Sequence, residues 1–139
     1  MRYMIDSNIL VFIAMDRDSL TREVDDILFD YGNRIYIPAK CVEELMYLQL
    51  SGKISVKRWK SPEDILRTVD EFNIGIKHTA DEHLWTLARL PLFPQHKDPT
   101  DRVIIAQSIT EKIPMISSDK QFPLYRRHGL DLVFNKRGR

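Results

Sequence analysis

The chain has 139 residues, 43% hydrophobic and 29% charged, which is the composition of one globular domain with a single core. Twenty-one Lys and Arg residues against 20 Asp and Glu residues give a formal net charge of +1, which neither indicates nor excludes a nucleic-acid partner. One cysteine, Cys41, excludes an intramolecular disulfide, and the apolar run over residues 9–15 is too short to cross a bilayer, so we expect a cytoplasmic single domain over residues 1–139 with no membrane contact.

Predicted strands and helices alternate along the chain. Short apolar runs predict five strands, at residues 3–5, 35–37, 74–76, 115–117 and 132–134. Helical spacing and capping residues predict helices at 9–15, from Ser19 to Tyr31, at 39–50, after Ser61, after Thr79, and from Asp98 to Glu111. This alternation favours an α/β fold with a parallel sheet.

Acidic residues stand at the edges of these segments. Asp6 follows the first strand, Asp119 follows the fourth strand, and Asp101 lies at the start of the helix between them. The carboxyl ends of parallel strands share one edge, where open α/β folds hold ligands, so we expect these acids to meet. Two carboxylates about 4 Å apart repel by about 4 kcal/mol at an effective dielectric of about 20, and Mg²⁺ with oxygen ligands is the natural neutraliser. The pattern predicts a metal-dependent phosphodiesterase site.

Each acid also has a structural alternative. Asp6 is a suitable cap for the first helix, and Asp98, which precedes a proline, resembles a helix cap. Asp119 could initiate a turn. Glu43 and Glu44 lie about 100° apart on a helix, so only one of them can face the site, and periodicity does not choose between them.

Other polar residues near the acids are candidates for supporting roles or for none. Ser117 and Ser118 precede Asp119 and are suited to orienting a carboxylate by hydrogen bonds. Arg102 lies beside the acids and is a candidate contact of a scissile phosphate. The four histidines lack the pairing of a histidine nuclease, and we interpret them as surface or packing residues: His78, His83, His96 and His128.

Four acidic motifs occur in a fixed order along the chain: residues 4–10 (MIDSNIL), Glu44-Leu45, residues 98–107 (DPTDRVIIAQ) and Ser117-Ser118-Asp119. In this order and spacing they resemble the PIN-domain ribonucleases, and among these the VapC-type toxins of bacterial toxin–antitoxin pairs. The resemblance runs from Met1 to about Phe134. It implies a three-layer α/β/α sandwich around a central parallel sheet of about five strands.

The resemblance also implies the roles of individual residues. Its catalytic quartet falls on Asp6, Glu44, Asp101 and Asp119. This match chooses Glu44 over Glu43. The implied metal ligands are Asp6, Asp101 and Asp119, and the implied supporting residues are Ser7, Asn8, Ser117 and Asp98. Ser stands at positions 7 and 117 where the family more often has Thr, which keeps the hydroxyl.

The implied function is endoribonuclease activity that depends on Mg²⁺ or Mn²⁺, in a toxin held inactive by a cognate antitoxin. Family members commonly form homodimers, and we expect one here. Apolar and aromatic residues are available for partner contacts, and burial in the monomer core is the alternative for each of them: Leu48, Trp59, Leu92 and Phe93. A non-catalytic PIN-like adaptor that binds RNA or protein is the alternative, and loss of one of the acids would favour it. A haloacid-dehalogenase-like phosphatase is disfavoured because Asn8 stands where that family has its second acid.

Overall fold

A computed structural model describes residues 1–136; residues 137–139, which the expected domain includes, lie outside the described residues. The elements are β1 (Arg2–Ile5), α1 (Ser7–Met15), α2 (Arg22–Leu28), β2 (Arg34–Pro38), α3 (Ala39–Leu50), α4 (Pro62–Glu71), β3 (Gly75–Lys77), α5 (Asp81–Arg89), α6 (Pro99–Glu111), β4 (Met115–Ser117) and β5 (Leu132–Phe134). Two 3₁₀ helices, Arg17–Ser19 and Phe122–His128, complete the described structure. All five predicted strands are present.

The five strands form one parallel sheet in the order β3-β2-β1-β4-β5. From β1 the chain steps outward to β2 and β3, then returns past β1 to β4 and β5. Crossovers between parallel strands are right-handed, so these two directions place helices on opposite faces of the sheet. The protein is therefore a three-layer α/β/α sandwich, as expected. The reversal of direction opens a crevice at the carboxyl ends of β1 and β4.

The strands that flank this crevice are the most deeply buried part of the sheet. Met4 and Ile5 of β1 and Met115 and Ile116 of β4 are inaccessible to solvent, and Ile5 pairs with Ile116. Strands buried on both faces are apolar throughout, which explains why these runs show no polar alternation. The residues that follow β1 and β4 are consequently held on a rigid base.

Two predicted helix starts were wrong. Helix α2 is capped by Thr21, whose Oγ1 accepts a hydrogen bond from the Val24 N–H at 3.2 Å, whereas Ser19 lies in the preceding 3₁₀ helix. Helix α5 begins after Ala80, whose N–H donates to His83 Nδ1 at 2.8 Å, one residue beyond Thr79. In both cases a neighbouring residue supplies the cap, so each helix begins later than predicted.

Burial divides the four residues available for partner contacts. Trp59 is 4% exposed and its Nε1 donates to Thr68 Oγ1 at 2.8 Å, so the alternative of burial in the core holds for this residue. Phe93 and Leu48 are half-buried, whereas Leu92 is 62% exposed. No helix within residues 1–136 is long and apolar enough to cross a membrane.

Candidate functional site

A cleft of about 410 Å³ lies at the crevice between β1 and β4. Five carboxylates line it, from Asp6, Glu44, Asp98, Asp101 and Asp119. Its other walls are the polar residues Ser7 and Asn8 and an apolar surface of Val11, Phe12, Leu45, Leu48 and Ile54. The four acids predicted to be catalytic, from four separate segments of the chain, therefore meet in one place.

Asp6 is buried at the junction of β1 and α1, where it has two structural roles. Its Oδ1 accepts the Ser7 N–H at 2.7 Å, so it caps α1 as the structural alternative predicted. Its Oδ2 accepts from Ser117 Oγ at 2.7 Å and from Asn8 Nδ2 at 3.2 Å. The Cys41 thiol donates to Oδ1 at 3.8 Å. The capping geometry therefore does not turn this carboxylate away from the cleft, and four neighbours fix its orientation.

Polar bridges between β1 and β4 hold the floor of the cleft. Ser117 Oγ donates to Asp6 and accepts the backbone N–H of Asp119 at 3.0 Å. Asn8 Oδ1 accepts the backbone N–H of Ser118 at 3.2 Å. The predicted supporting residues Asn8 and Ser117 thus join the two strand ends that carry Asp6 and Asp119.

The structural alternatives for Asp98 and Asp119 also hold. Asp98 Oδ1 accepts the Asp101 N–H at 3.0 Å and so caps α6, while its side chain lines the cleft. Asp119 Oδ1 accepts the Gln121 N–H at 2.8 Å, which begins a turn. Each acid is thus fixed by its own local backbone as well as exposed to the cleft.

The adjacent glutamates of α3 have different surroundings. Glu44 is half-buried and its Oε1 accepts from Ser7 Oγ at 2.9 Å, so Ser7 links it to the end of β1. Glu43 is exposed and its carboxylate lies 4.0 Å from Lys40 Nζ. The structure therefore brings Glu44, and not Glu43, to the acids.

The sequence missed His96, which lies against the cleft. This histidine is 6% exposed, and its Nε2 lies 3.0 Å from Asp101 Oδ2. His96, Asp101 and Asp119 each present a possible ligand atom, and these atoms lie within 4.8 Å of one another. The burial of His96 agrees with its interpretation as a packing residue, but its contact with Asp101 was not predicted. Its position two residues before Asp98 was the one available signal.

Arg102 makes contacts other than the predicted one. Its guanidinium donates to the carbonyl oxygens of Pro91 at 2.6 Å and Leu90 at 3.0 Å. These bonds tie the loop before α6 to the first turn of that helix. These contacts engage two of the five N–H donors of the guanidinium, so binding of a scissile phosphate by Arg102 stays a prediction.

Three of the clustered carboxyl groups have raised pKa values. Burial raises the pKa of Asp101 to about 9, and the charges of Asp6, Asp98, Asp119 and Glu44 add to that shift. Burial also raises the pKa of Asp6 to about 6, against the opposing effect of its hydrogen bonds. The pKa of Glu44 is raised by burial as well. The fold therefore gathers carboxyl groups whose ionised forms are disfavoured by burial and by one another.

A divalent cation fits this donor set. The cleft offers carboxylate oxygens from several directions, which are the ligands preferred by hard cations such as Mg²⁺ and by Mn²⁺. A cation would also relieve the repulsion that raises the pKa of Asp101. The residues placed to hold it are Asp6, Asp101 and Asp119, with Glu44 close by through Ser7.

Comparisons with known proteins agree with this architecture. The family described as PIN domain matches residues 3–127. Three similar solved structures are VapBC2 from Rickettsia felis bound to a DNA fragment from its promoter (21% identity, TM-score 0.69), DNA-bound VapBC from Salmonella typhimurium (15%, 0.67) and VapBC-1 from nontypeable Haemophilus influenzae (13%, 0.67). The matches cover 96%, 96% and 98% of this chain and 98%, 98% and 99% of those chains. No curated protein sequence matches the chain significantly.

Proposed function

Because the chain belongs to the PIN-domain family, whose members are generally nucleases, we propose that it is a metal-dependent endoribonuclease and the toxin of a toxin–antitoxin pair. One observation carries this proposal. Asp6, Glu44, Asp101 and Asp119 converge on an open cleft at the switch point of a parallel sheet. Such a site suits hydrolysis of a phosphodiester bond.

The proposed mechanism divides the work among the acids. Asp6, Asp101 and Asp119 would bind Mg²⁺ or Mn²⁺, with Glu44 completing the site directly or through water. The bound ion would supply Lewis acidity, which lowers the pKa of an attacking water and offsets charge on the phosphate. Ser7 holds Glu44 by Oε1 at 2.9 Å and leaves Oε2 to accept the proton of that water. The raised pKa of Glu44 improves its fit to this task.

A second surface favours a nucleic-acid substrate over a small phosphate ester. Beside the cleft is a cavity of about 470 Å³ that we call the basic groove, lined by Phe93, Lys120, Pro123, Leu124, Arg127 and His128. No carboxylate is among these lining residues. Lys120 directly follows Asp119, so the groove adjoins the acids. Its cations can hold phosphates and its aromatic rings can stack with bases, as single-stranded RNA requires.

We propose two protein partners as well. The neighbouring solved structures are of VapBC complexes, and the apolar wall of the cleft offers a surface for an apolar segment of a cognate antitoxin. We also propose a homodimer, because Leu92 and several other large apolar side chains are exposed. A monomeric mass by light scattering at micromolar concentration would contradict the homodimer. The setting we propose for these interactions is the cytoplasm.

The test is incubation of the purified protein with total RNA across a range of Mg²⁺ and Mn²⁺ concentrations, with EDTA as the control. We expect discrete cuts that require metal and that disappear in the Asp6→Asn variant. An absence of cuts while RNA or a protein partner is still bound would replace the nuclease by the non-catalytic adaptor.

A further inference from the structure

A hydrogen-bonded chain runs from the core into the acid cleft. The hydroxyl of Tyr125, in the second 3₁₀ helix, lies 2.7 Å from His96 Nδ1. The other ring nitrogen of His96 lies 3.0 Å from Asp101 Oδ2. Tyr125 is inaccessible to solvent, and the side chains of His96 and Asp101 are 5% and 16% exposed. Polar groups buried this deeply are normally retained for the contact that they make.

The protons of Tyr125 and His96 determine which atom donates in each of these two hydrogen bonds. Burial raises the pKa of Tyr125, and the neighbouring Arg102 opposes this shift as a hydrogen-bond donor and a positive charge. A tyrosine hydroxyl that keeps its proton can donate it to His96 Nδ1, which lies 2.7 Å from the Tyr125 oxygen. An imidazole that accepts at Nδ1 carries its proton on Nε2, where it can donate to Asp101 Oδ2 at 3.0 Å. This arrangement satisfies each polar atom in turn.

Aromatic packing keeps the imidazole in this orientation. The His96 ring packs edge-on against Phe122 and Tyr125, with centroids 6.0 and 5.4 Å away. Phe93 packs against Tyr125 with centroids 5.1 Å apart, and its backbone forms a bridge with His96. The loop between α5 and α6 is thereby pinned at both ring and backbone, so His96 cannot turn its Nε2 elsewhere without breaking these contacts.

The orientation of the Asp101 carboxylate depends on its hydrogen bond with His96. Asp6 accepts hydrogen bonds from four neighbours, Glu44 accepts one from Ser7, and Asp119 accepts one from a backbone N–H. Within residues 1–136, the Asp101 carboxylate accepts a hydrogen bond from His96 alone. It also faces the repulsion of the surrounding acids, which would turn a freely rotating side chain away from the cleft.

We propose that His96, fixed by Tyr125, is a positioning residue that holds Asp101 Oδ2 and leaves Oδ1 available to the metal ion. The inference rests on the proposed metal-dependent function. Hydrogen bonds from neighbouring groups to a ligating carboxylate commonly change metal affinity or activity by about 10- to 100-fold. The contacts of His96 disfavour a direct ligand role, because both of its ring nitrogens already have partners.

The sharpest test is Tyr125→Phe, which removes one oxygen and keeps the ring that packs against Phe93 and His96. We expect the affinity for Mg²⁺ and for Mn²⁺, measured by isothermal titration calorimetry on the folded protein, to fall by about 10-fold or more. We also expect kcat for RNA cleavage to fall with KM unchanged. Tyr36→Phe is the matched control, because the same atom is removed from β2, and it should leave both measurements as in the wild type.

A second pair of variants separates the hydrogen bond from the packing. His96→Gln retains an N–H donor, whereas His96→Leu retains none, so the Gln variant should bind metal more tightly than the Leu variant. Equal affinities in this pair, or wild-type affinity in Tyr125→Phe, would overturn the inference. A loss confined to Mn²⁺ would also overturn it, because a nitrogen ligand favours transition metals over Mg²⁺. If the wild-type protein binds neither ion, the proposed function fails together with this role.

Discussion

The acid cleft and the basic groove adjoin each other, but the ionisable groups of the cleft are buried whereas those of the groove are exposed. In the cleft, burial and mutual repulsion raise the pKa of Asp6 and Asp101, so the fold carries a cost for keeping these groups. In the groove, Lys120 and Arg127 are exposed, where a charge costs little. Buried charge that weakens a fold persists where it serves chemistry. Substitutions in the cleft should therefore trade activity against stability, whereas substitutions in the groove should change RNA binding alone.

Of these substitutions, Asp101→Asn in the cleft should have the largest effects on both cleavage and stability. The variant loses a metal ligand, so we expect cleavage to fall by more than about 100-fold. It also removes a carboxyl group whose pKa is raised to about 9, so the metal-free protein should gain a few kcal/mol in its free energy of unfolding. Cleavage assays and urea unfolding in EDTA measure the two effects. A variant that is less stable and still active would contradict both expectations.

The pH dependence of stability provides the next test. The folded protein holds protons on Asp6 up to about pH 6 and on Asp101 up to about pH 9, against an ordinary value of 3.8 for both. It therefore binds more protons than the unfolded chain above about pH 4, so the free energy of unfolding should fall as the pH rises. The contribution of Asp6 is lost by about pH 6 and that of Asp101 by about pH 9. Urea unfolding at pH 5, 7 and 9 measures this slope.

Saturating Mg²⁺ is the control for the pH series, because a bound cation favours the ionised carboxylates in the folded state. The decline in stability should shrink or reverse when the ion is present. It should also shrink in Asp101→Asn without metal. An identical slope in all three samples would show that these carboxyl groups are not the source.

The adjacent glutamates test the boundary of the cleft. Glu44→Gln keeps a group that accepts from Ser7 but removes the proposed proton acceptor, so cleavage should fall by about 10- to 100-fold. Glu43→Gln makes the same chemical change on an exposed side chain one residue earlier and should cleave like the wild type. Single-turnover rates with saturating metal measure both. The reverse ranking would mean that the assignment along α3 is wrong by one residue.

The smallest effects are expected in the basic groove. In an Asp6→Asn background that leaves RNA uncut, Lys120→Gln and Arg127→Gln should each weaken RNA binding several-fold. Each should also make the salt dependence shallower by about 0.7 per lost phosphate contact. Fluorescence anisotropy over a range of salt measures this. Lys57→Gln, an exposed lysine outside the groove, is the matched control, and equal weakening there would remove the groove from the proposal.

The sheet and the order of the acids were predictable because they depend on local sequence. Runs such as residues 115–117 are apolar on both faces, and the parallel order brings their ends to one edge. Helix starts were harder where several capping residues stand close together. Ser19 and Thr21 have similar intrinsic capping ability, and the structure selects Thr21 through contacts that include its N–H bond to Asn135 Oδ1 at 2.6 Å.

The surroundings of Asp101 could not be predicted from the sequence. His96 lies in a loop without periodicity, and Arg102 donates to a backbone carbonyl of that loop. Tyr125 contacts His96 from a 3₁₀ helix that no motif predicted. Their contacts depend on how α6 and the end of the chain pack together. The resemblance supplied the acids and the residues that support Asp6 and Glu44, but it carried no information on the hydrogen bond to the Asp101 carboxylate.

The central position of β1 has a consequence for protein synthesis. This strand is made well before its neighbour β4, and the bond from Ser117 to Asp6 joins residues that are 111 positions apart. A growing chain on the ribosome leaves one side of β1 unpaired until β4 emerges. The acid cleft therefore assembles only after β4 and Asp119 have left the ribosome, and the activity that we propose for it begins only then.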